Sequence, residues 1–146
     1  MQKITPFLWF DDQAVEAAKF YVSIFKDAKI IDEIDDDASS VSFEFFGQQY
    51  IAFNGGPYFR FTPAISLYVD CTDQVEVDYY WDILTEGGEE SQCGWLIDKY
   101  GISWQIVPSI LSELLNHPDP IKAQKAMDAM LQMKKLDIAK LLESIQ

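Results

Sequence analysis

The sequence TPFLWFDD at residues 5–12 has a counterpart, TPAISLYVD, at residues 62–70. Each begins with Thr-Pro, continues as an apolar run typical of a strand, and is followed by a helix-like segment. The two helix-like segments agree at an offset of 59 residues, which aligns KFYVSIF (residues 19–25) with DYYWDIL (residues 78–84). The first 107 residues are therefore predicted to contain an internal repeat.

Three more strand-like runs follow the helix-like segment in each half. In the first half, alternation places Val41, Phe43 and Phe45 on one face, and residues 47–49 are predicted to form a hairpin turn. In the second half, Gly87-Gly88 is predicted to end the helix, and a turn is expected at residues 99–101. Each half is thus predicted to be a βαβββ module.

The predicted fold class is α+β, with two βαβββ modules forming facing mixed sheets, a cleft between them, and C-terminal helices. A sheet covered by a helix on one face needs a partner for its other face, and pockets prefer such junctions. Module 1 is expected at about residues 1–54, a linker at 55–61, module 2 at about 62–108, and a helical tail at 109–146 of a single domain. In the tail, Asp119 and Pro120 have the spacing of a helix cap and first helical residue.

Composition excludes several classes of partner. The 146 residues are 49% hydrophobic, enough for a packed core, and carry a formal charge of −13. Such a charge opposes binding to nucleic acid and to anionic membrane surfaces. No signal peptide or membrane-length apolar run is evident. Cys71 and Cys93 are too few for a disulfide scaffold, so we expect reduced thiols in a cytoplasmic protein.

The paired modules resemble the vicinal oxygen chelate superfamily, which includes glyoxalase I, bleomycin resistance proteins and extradiol dioxygenases. Its PhnB-like branch, also known as 3-demethylubiquinone-9 3-methyltransferase-like, is similar to this chain in specific phrases. These are, in order, ITPFLWFDDQAVEAAKFYVSIF (4–25), FNGGPYFRFTPAISLYVDC (53–71), EVDYYWDILTEGG (76–88), QCGWLIDKYGISWQIVP (92–108) and MLQMKKLDIAKL (130–141). The fourth phrase is the most specific of them.

The resemblance implies a metal position on the first and last strand of each module, filled in the superfamily by His, Gln or Glu. Those positions correspond here to Thr5, Ile51, Ala64 and Gln105. Only one of the four side chains carries a donor that metals commonly use in proteins, and the single histidine, His117, lies in the tail. We therefore expect no metal and no cofactor.

Strand alternation predicts which side chains line the cleft. They are mostly aromatic or apolar with a few polar groups, and the predicted ligand-binding residues are Thr5, Phe7, Trp9, Ile51, Phe53, Ala64, Ser66, Tyr68, Trp95 and Gln105. This lining favours a small apolar or aromatic molecule oriented by a few hydrogen bonds. The alternative is that the aromatic side chains fill the cleft themselves.

Other candidate groups have structural interpretations. Cys93 has no neighbouring histidine to make it a thiolate, and Asp98 is placed to form a turn. Asp35-Asp36-Asp37 lacks the ligand series of a calcium loop and is interpreted as a solvated loop. The glycine-rich strand-to-helix turn of a Rossmann-like methyltransferase is missing.

We expect a homodimer that binds a small-molecule ligand without a metal, and whether it is an enzyme stays open. The first alternative is an enzyme of the glyoxalase or dioxygenase type, or the methyltransferase that the branch name implies. The second is a non-catalytic interaction protein with a filled cleft.

Overall fold

The computed structural model describes residues 2–32 and 37–146. The chain divides into two compact units, Met1–Phe61 and Thr62–Gln146. The expected class is confirmed, because each unit contains a four-stranded mixed sheet with a helix, and the second also carries the C-terminal helices. Of the aspartate run considered for calcium, only Asp37 lies within the described residues.

Unit 1 is a βαβββ module whose sheet has the order β1-β4-β3-β2. Strand β1 runs parallel to β4, and the other pairs are antiparallel. Its elements are β1 (Phe7–Phe10), α1 (Ala14–Ile24), β2 (Ala28–Ile30), β3 (Ser40–Phe45) and β4 (Gln48–Asn54).

The core of unit 1 lies between α1 and one face of the sheet. Helix α1 buries small side chains such as Ala17 and Ala18 together with Tyr21, which stacks on Phe43 with ring centroids 6.1 Å apart. Val41, Phe43 and Phe45 are all buried, as their alternation predicts. The small residues let the helix approach the sheet closely enough for these rings to pack.

The β3–β4 hairpin turns one residue earlier than the sequence indicates. Its two central residues are Phe46 and Gly47, both left-handed with φ of 53° and 76°, and β4 begins at Gln48. Two-residue hairpins need positive φ at both central positions to match the twist of the strands. The prediction was wrong because it placed the single glycine first rather than second in the turn.

Unit 2 repeats the module and adds three helices. Its sheet has the order β5-β8-β7-β6, again with the first and last strands parallel. The elements are β5 (Ser66–Cys71), α2 (Gln74–Thr85), β6 (Glu89–Glu90), β7 (Trp95–Ile97), β8 (Ser103–Pro108), α3 (Ile110–Leu115), α4 (Pro120–Leu131) and α5 (Ile138–Ser144). Helix α2 ends just before left-handed Gly87, as predicted.

The offset of 59 residues pairs buried side chains of the two halves: Ala18 with Val77, Tyr21 with Tyr80 and Phe25 with Leu84. It also aligns Phe7 with Ser66, the first residues of β1 and β5. An offset of 60 pairs buried side chains equally well, as in Tyr21 with Trp81. The register of the repeat therefore stays a prediction.

The turn between β7 and β8 is organised by Asp98, which is 3% exposed. Its Oδ1 accepts hydrogen bonds from the backbone N–H groups of Tyr100 (2.8 Å) and Ile102 (3.1 Å). Its Oδ2 accepts one from Nε1 of buried Trp104 at 2.8 Å. The predicted turn-forming role of this aspartate is confirmed, and the hydrogen bonds explain why the DKYGISW sequence combines an acid with a tryptophan.

The C-terminal helices pack on unit 2. They share an apolar cluster with the end of β8, and its buried members are Val107, Leu111, Leu114, Ala126, Leu136 and Leu141. Asp119 caps α4 through the N–H of Ile121, with Pro120 as the first helical residue, as predicted. No helix among the described residues is long and apolar enough to span a membrane.

Candidate functional site

Each sheet has one face against its helix, α1 or α2, and a second face that we call the distal face. Because side chains alternate along a strand, Phe7 and Trp9 share the distal face of unit 1 with Ile51 and Phe53. By the same rule, the distal face of unit 2 carries Ser66, Tyr68, Trp95, Ser103 and Gln105. Eight of the ten predicted ligand-binding residues therefore lie on the two distal faces.

Thr5 and Ala64 do not lie in the strands to which they were assigned. Strand β1 begins at Phe7 and β5 begins at Ser66, so each of these residues precedes its strand by two positions. Ala64 is exposed, and its N–H is held by Thr62 Oγ1 at 3.1 Å. The Thr-Pro pair that begins both sequences therefore precedes the strand and is not part of it.

The distal face of unit 1 is a cluster of aromatic rings. The Trp9 ring lies edge-on to Phe53 at 5.3 Å and to Phe59 at 5.0 Å, and Phe7 lies 5.3 Å from Phe53. Phe7 keeps 57% of its surface exposed. The cluster therefore combines fixed ring positions with accessible apolar surface.

Trp9 is held in place by the loop that follows β4. Its Nε1 donates a hydrogen bond to Gly56 O at 2.9 Å. A Cβ at Gly55 would lie 2.2 Å from the indole Cε2, so only glycine lets the backbone approach the ring this closely. The NGG sequence thus positions an aromatic side chain.

The distal face of unit 2 carries polar side chains where β5 and β8 pair. Gln105 Nε2 donates a hydrogen bond to Ser66 Oγ at 3.0 Å. Ser103, which pairs with Ser66 across the strands, is 1% exposed, and its Oγ has no hydrogen-bond partner. The Tyr68 hydroxyl beside them has a pKa raised first by partial burial and then by the charge of Asp70, so it is a neutral donor at physiological pH.

The positions that correspond to the superfamily's metal ligands do not fit a metal. Strand pairing places Phe7 beside Ile51 and Tyr68 beside Gln105. With Phe7 and Tyr68 in place of Thr5 and Ala64, the four positions would offer one amide and one phenol, without imidazole, thiolate or carboxylate. Within residues 2–32 and 37–146, no three His, Cys, Asp or Glu side chains are grouped so that they could hold an ion.

The remaining reactive groups have structural roles. Burial, reinforced by nearby Glu76 and Asp70, raises the pKa of the Cys71 thiol to about 12, so it is not a nucleophile at neutral pH. Cys93 has a left-handed φ of 59°, and its N–H donates to Met133 O at 2.8 Å, which attaches the tail to the sheet. His117 Nδ1 accepts the N–H of Asp119 at 3.0 Å and forms part of the turn before α4.

A polar pocket of about 450 Å³ lies in unit 2, where α2 faces the segment between α4 and α5. Its walls are Gln74, Asp78, Gln132, Met133, Lys134, Lys135, Asp137 and Lys140. Sequence reasoning missed it because the wall residues are separated by more than fifty positions. The Lys135–Asp78 ion pair at 2.9 Å crosses it and raises the pKa of the lysine.

Comparison with known proteins places the chain in a family. Residues 2–107 match the family described as 3-demethylubiquinone-9 3-methyltransferase. A solved structure from Bacillus cereus, described as a PhnB protein, is 34% identical, covers 73% of this chain and 99% of its own, and has a TM-score of 0.66. No curated protein matches the chain significantly.

More distant structures share the fold alone. A protein from Pseudomonas aeruginosa is 17% identical over 74% of this chain and 98% of its own, with a TM-score of 0.61. A glyoxalase-related enzyme from Fulvimarina pelagi is 10% identical over 73% of this chain and 88% of its own, with a TM-score of 0.50.

The family match ends at Val107, so the resemblance expected for residues 130–141 lies outside it, in helices that this chain adds to the repeated modules. The two βαβββ units inside the match have the topology that the resemblance implies. The chain therefore belongs to the 3-demethylubiquinone-9 3-methyltransferase family, the PhnB-like branch with the vicinal oxygen chelate fold.

Proposed function

We propose that this protein binds a small apolar or aromatic molecule on the distal faces of its sheets, without a metal. The observation that carries the proposal is the aromatic cluster of unit 1, in which Trp9 is fixed by Gly56 while Phe7 remains 57% exposed. Fixed rings with accessible surface lose little conformational entropy when a flat molecule packs on them. That the two distal faces enclose one cleft stays a prediction.

The donor chemistry supports binding rather than the metal chemistry of glyoxalases and dioxygenases. Neither the predicted positions nor the set in which Phe7 and Tyr68 take the place of Thr5 and Ala64 provides the imidazole or carboxylate ligands that such ions require. The residue beside Gln105 on β5 is Tyr68, a weak ligand while its phenol is protonated.

The methyl transfer named by the family description receives no support from the local backbone. In a dinucleotide-type cofactor site, a glycine-rich turn joins a strand to a helix. Here the β1–α1 and β5–α2 connections, Asp11–Gln13 and Thr72–Asp73, contain no glycine. Neither sheet is doubly wound, so neither has the crevice in which such cofactors bind.

The first experiment is a thermal-shift screen of small aromatic compounds against the purified protein and two variants. Phe7→Ala and Gln105→Ala remove one side chain from each distal face, and Val75→Ala, an exposed position on α2, is the matched control. We expect hits whose shift is reduced by either site variant and unchanged by the control. If neither site variant changes the shift caused by any compound, the alternative in which aromatic side chains fill the cleft is favoured instead.

Two further measurements test the rival enzymes. Stoichiometric transition metal in the purified protein would contradict the metal-free proposal, and binding heat with S-adenosylmethionine would favour the methyltransferase. The proposal also includes a cytoplasmic homodimer, in keeping with Cys71 and Cys93 as free thiols. Sedimentation equilibrium of the full chain tests the dimer.

A further inference from the structure

The polar pocket of unit 2 is built mostly from one phrase of the sequence, MLQMKKLDIAKL at residues 130–141. Six of its eight wall residues come from this phrase, and the other two, Gln74 and Asp78, belong to α2. Every wall residue except Met133 is polar or charged. None of them belongs to a strand, so the pocket is separate from the distal faces and from the function proposed for them.

The two carboxylates of the pocket hold its walls together. Asp78 Oδ1 accepts a hydrogen bond from Gln74 Nε2 at 3.0 Å and lies 2.9 Å from Lys135 Nζ. The bond from Gln74 and then the ion pair lower the pKa of Asp78, so this carboxylate is ionised and its charge is already compensated. Asp137 Oδ1 caps α5 by accepting the backbone N–H of Lys140 at 3.0 Å.

Three other side chains of the pocket offer hydrogen-bond donors without partners. The ammonium groups of Lys134 and Lys140 and the amide of Gln132 make no hydrogen bond or ion pair with another residue that the structure describes, and all three residues are exposed. Single exposed lysines are ordinary, but these two line one concavity whose volume is within the range of small-molecule sites. Because an ammonium group can only donate, the partner that fits them is an anionic acceptor.

The charge around the pocket limits how much negative charge its ligand can carry. Three ammonium groups and two carboxylates line it, and Asp82 adds to the rise in the pKa of Lys135 that Asp78 chiefly causes. The local sum is therefore close to zero, in a chain with a formal charge of −13. A polyanion such as nucleic acid would be repelled by the rest of the surface. A ligand with one anionic group meets mainly the nearby lysines, since salt screens charges farther away than about 8 Å.

The size and polarity of the pocket describe the rest of the ligand. A volume of about 450 Å³ accommodates a molecule of the size of a sugar acid. The walls offer little apolar surface, whereas the amide of Gln132 can both donate and accept. Hydroxyl groups match such walls because they also donate and accept.

We propose that this pocket binds a small hydroxylated organic anion, with Lys134 and Lys140 pairing with its carboxylate or phosphate group. Its hydroxyl groups contact the polar walls. Because the walls belong both to α2 and to the tail, the bound anion also stabilises the attachment of the tail to unit 2.

The test uses probes that share one polyol chain and differ only in the end group: gluconate, sorbitol 6-phosphate, neutral sorbitol and cationic glucamine. Binding to the full chain is followed by ¹H–¹⁵N correlation spectra, through the backbone amides of residues 132–140. We expect saturable shifts with gluconate, with sorbitol 6-phosphate or with both, which identifies the anionic group. Sorbitol and glucamine should cause none at the same concentrations, and added NaCl should weaken the binding of the anions.

Lys134→Gln and Lys140→Gln each remove one charge and keep a polar side chain. Each should weaken binding of the anionic probe about 2–5-fold, the range expected for an exposed ion pair. Lys134→Arg should retain the affinity, because it keeps the charge. The matched control is Lys125→Gln, at an exposed position of α4 outside the pocket, which changes the net charge equally and should leave the affinity unchanged.

Hydrogen exchange in α5 tests the link to the tail. A ligand that binds only while the tail is attached should slow this exchange roughly 10-fold when its concentration is ten times Kd. Binding of the anion without slower exchange in α5 would overturn the stabilisation of the tail.

Three results would overturn the anion site. They are equal shifts with sorbitol and gluconate, tighter binding of glucamine than of the anions, and a loss of affinity in Lys125→Gln as large as in Lys134→Gln. If neither anionic probe shifts residues 132–140, the pocket is not a binding site for this class of ligand. The function proposed for the distal faces is unaffected by these results, because its test uses aromatic compounds.

Discussion

The two units share one βαβββ topology but differ at three corresponding places. In unit 1 the distal face is a cluster of rings, the hairpin turn has two residues, and no C-terminal helix is attached. In unit 2 the distal face is hydrogen-bonded, the turn is organised by a buried acid, and three helices follow. The repeated topology therefore preserves the backbone scaffold, while the side chains stabilise the two units differently and give their distal faces different chemical character.

The turns provide the strongest test of this difference. Asp98→Asn should destabilise the protein by about 2–4 kcal/mol, because the amide would place N–H hydrogens against either the backbone donors or Nε1 of Trp104. Gly47→Ala in the other turn should cost only about 1 kcal/mol, since the strain of a left-handed φ is its sole defect and the added Cβ meets nothing within 4 Å.

Urea unfolding of both variants measures the difference. Asp82→Asn, at an exposed position of α2, is the control for removal of a charge. A double-mutant cycle with Trp104→Phe should give a coupling of about 1 kcal/mol or more with Asp98. Equal costs for Asp98→Asn and Gly47→Ala would show that the buried acid adds nothing beyond an ordinary turn.

The packing of Trp9 on the NGG loop is the next test. Gly55→Ala should destabilise the protein by about 1–3 kcal/mol, because the added methyl overlaps the indole ring and forces it away from Gly56 O. It should also weaken any ligand that packs on the aromatic cluster. Gly47→Ala serves again as the control, since its site is open, and unchanged stability of Gly55→Ala would show that the ring moves freely.

The attachment of the tail to unit 2 depends on one side chain. Gln74 donates to Leu136 O at 3.0 Å and accepts from the N–H of Ile138 at 2.8 Å, so it holds the start of α5 from both sides. Gln74→Ala should cost about 1–2 kcal/mol. Hydrogen exchange should then be faster in α5 than in β8.

The matched control for Gln74→Ala is Gln124→Ala on α4, where the amide makes only an exposed bond to Asp128. It should change stability by less than about 0.5 kcal/mol. Exchange that rises equally in α5 and β8 would mean that the tail and the sheet unfold together, and that Gln74 does not stabilise the tail separately.

How much the sequence predicts depends on how local the signal is. The alternation of Val41, Phe43 and Phe45 and the Asp119–Pro120 cap are local patterns, and both predictions are confirmed. The start of the first strand in each unit was less predictable, because Thr5 and Ala64 were assigned to these strands, whereas β1 begins at Phe7 and β5 at Ser66. Only strand pairing shows where each strand begins.

The candidate site was predictable as a face but not as a set of bonds. Alternation places Phe7 and Trp9 together on the distal face. The hydrogen bond from Trp9 to Gly56 O and the unpartnered hydroxyl of Ser103 depend on the distance between chain segments, which residue types do not encode. The polar pocket beside α2 was missed for the same reason.

The smallest expected effect concerns the end of the first strand of each unit, where buried Phe10 corresponds to buried Cys71. Burial raises the pKa of the Cys71 thiol from 9.0 to about 12, so the folded protein holds it protonated where the unfolded chain would ionise. Its contribution to stability is therefore complete below pH 9 and is lost as pH rises toward about 12. Cys71→Ala should remove this part of the pH dependence, which urea unfolding across that range measures.

At pH 8, iodoacetamide should label the partly exposed Cys93 in the native protein and Cys71 only after unfolding, as intact mass will show. If both cysteines of the native protein are labelled at similar rates, the end of β5 opens to solvent. Cys71 would then not be a core side chain of unit 2 in the way that Phe10 is in unit 1.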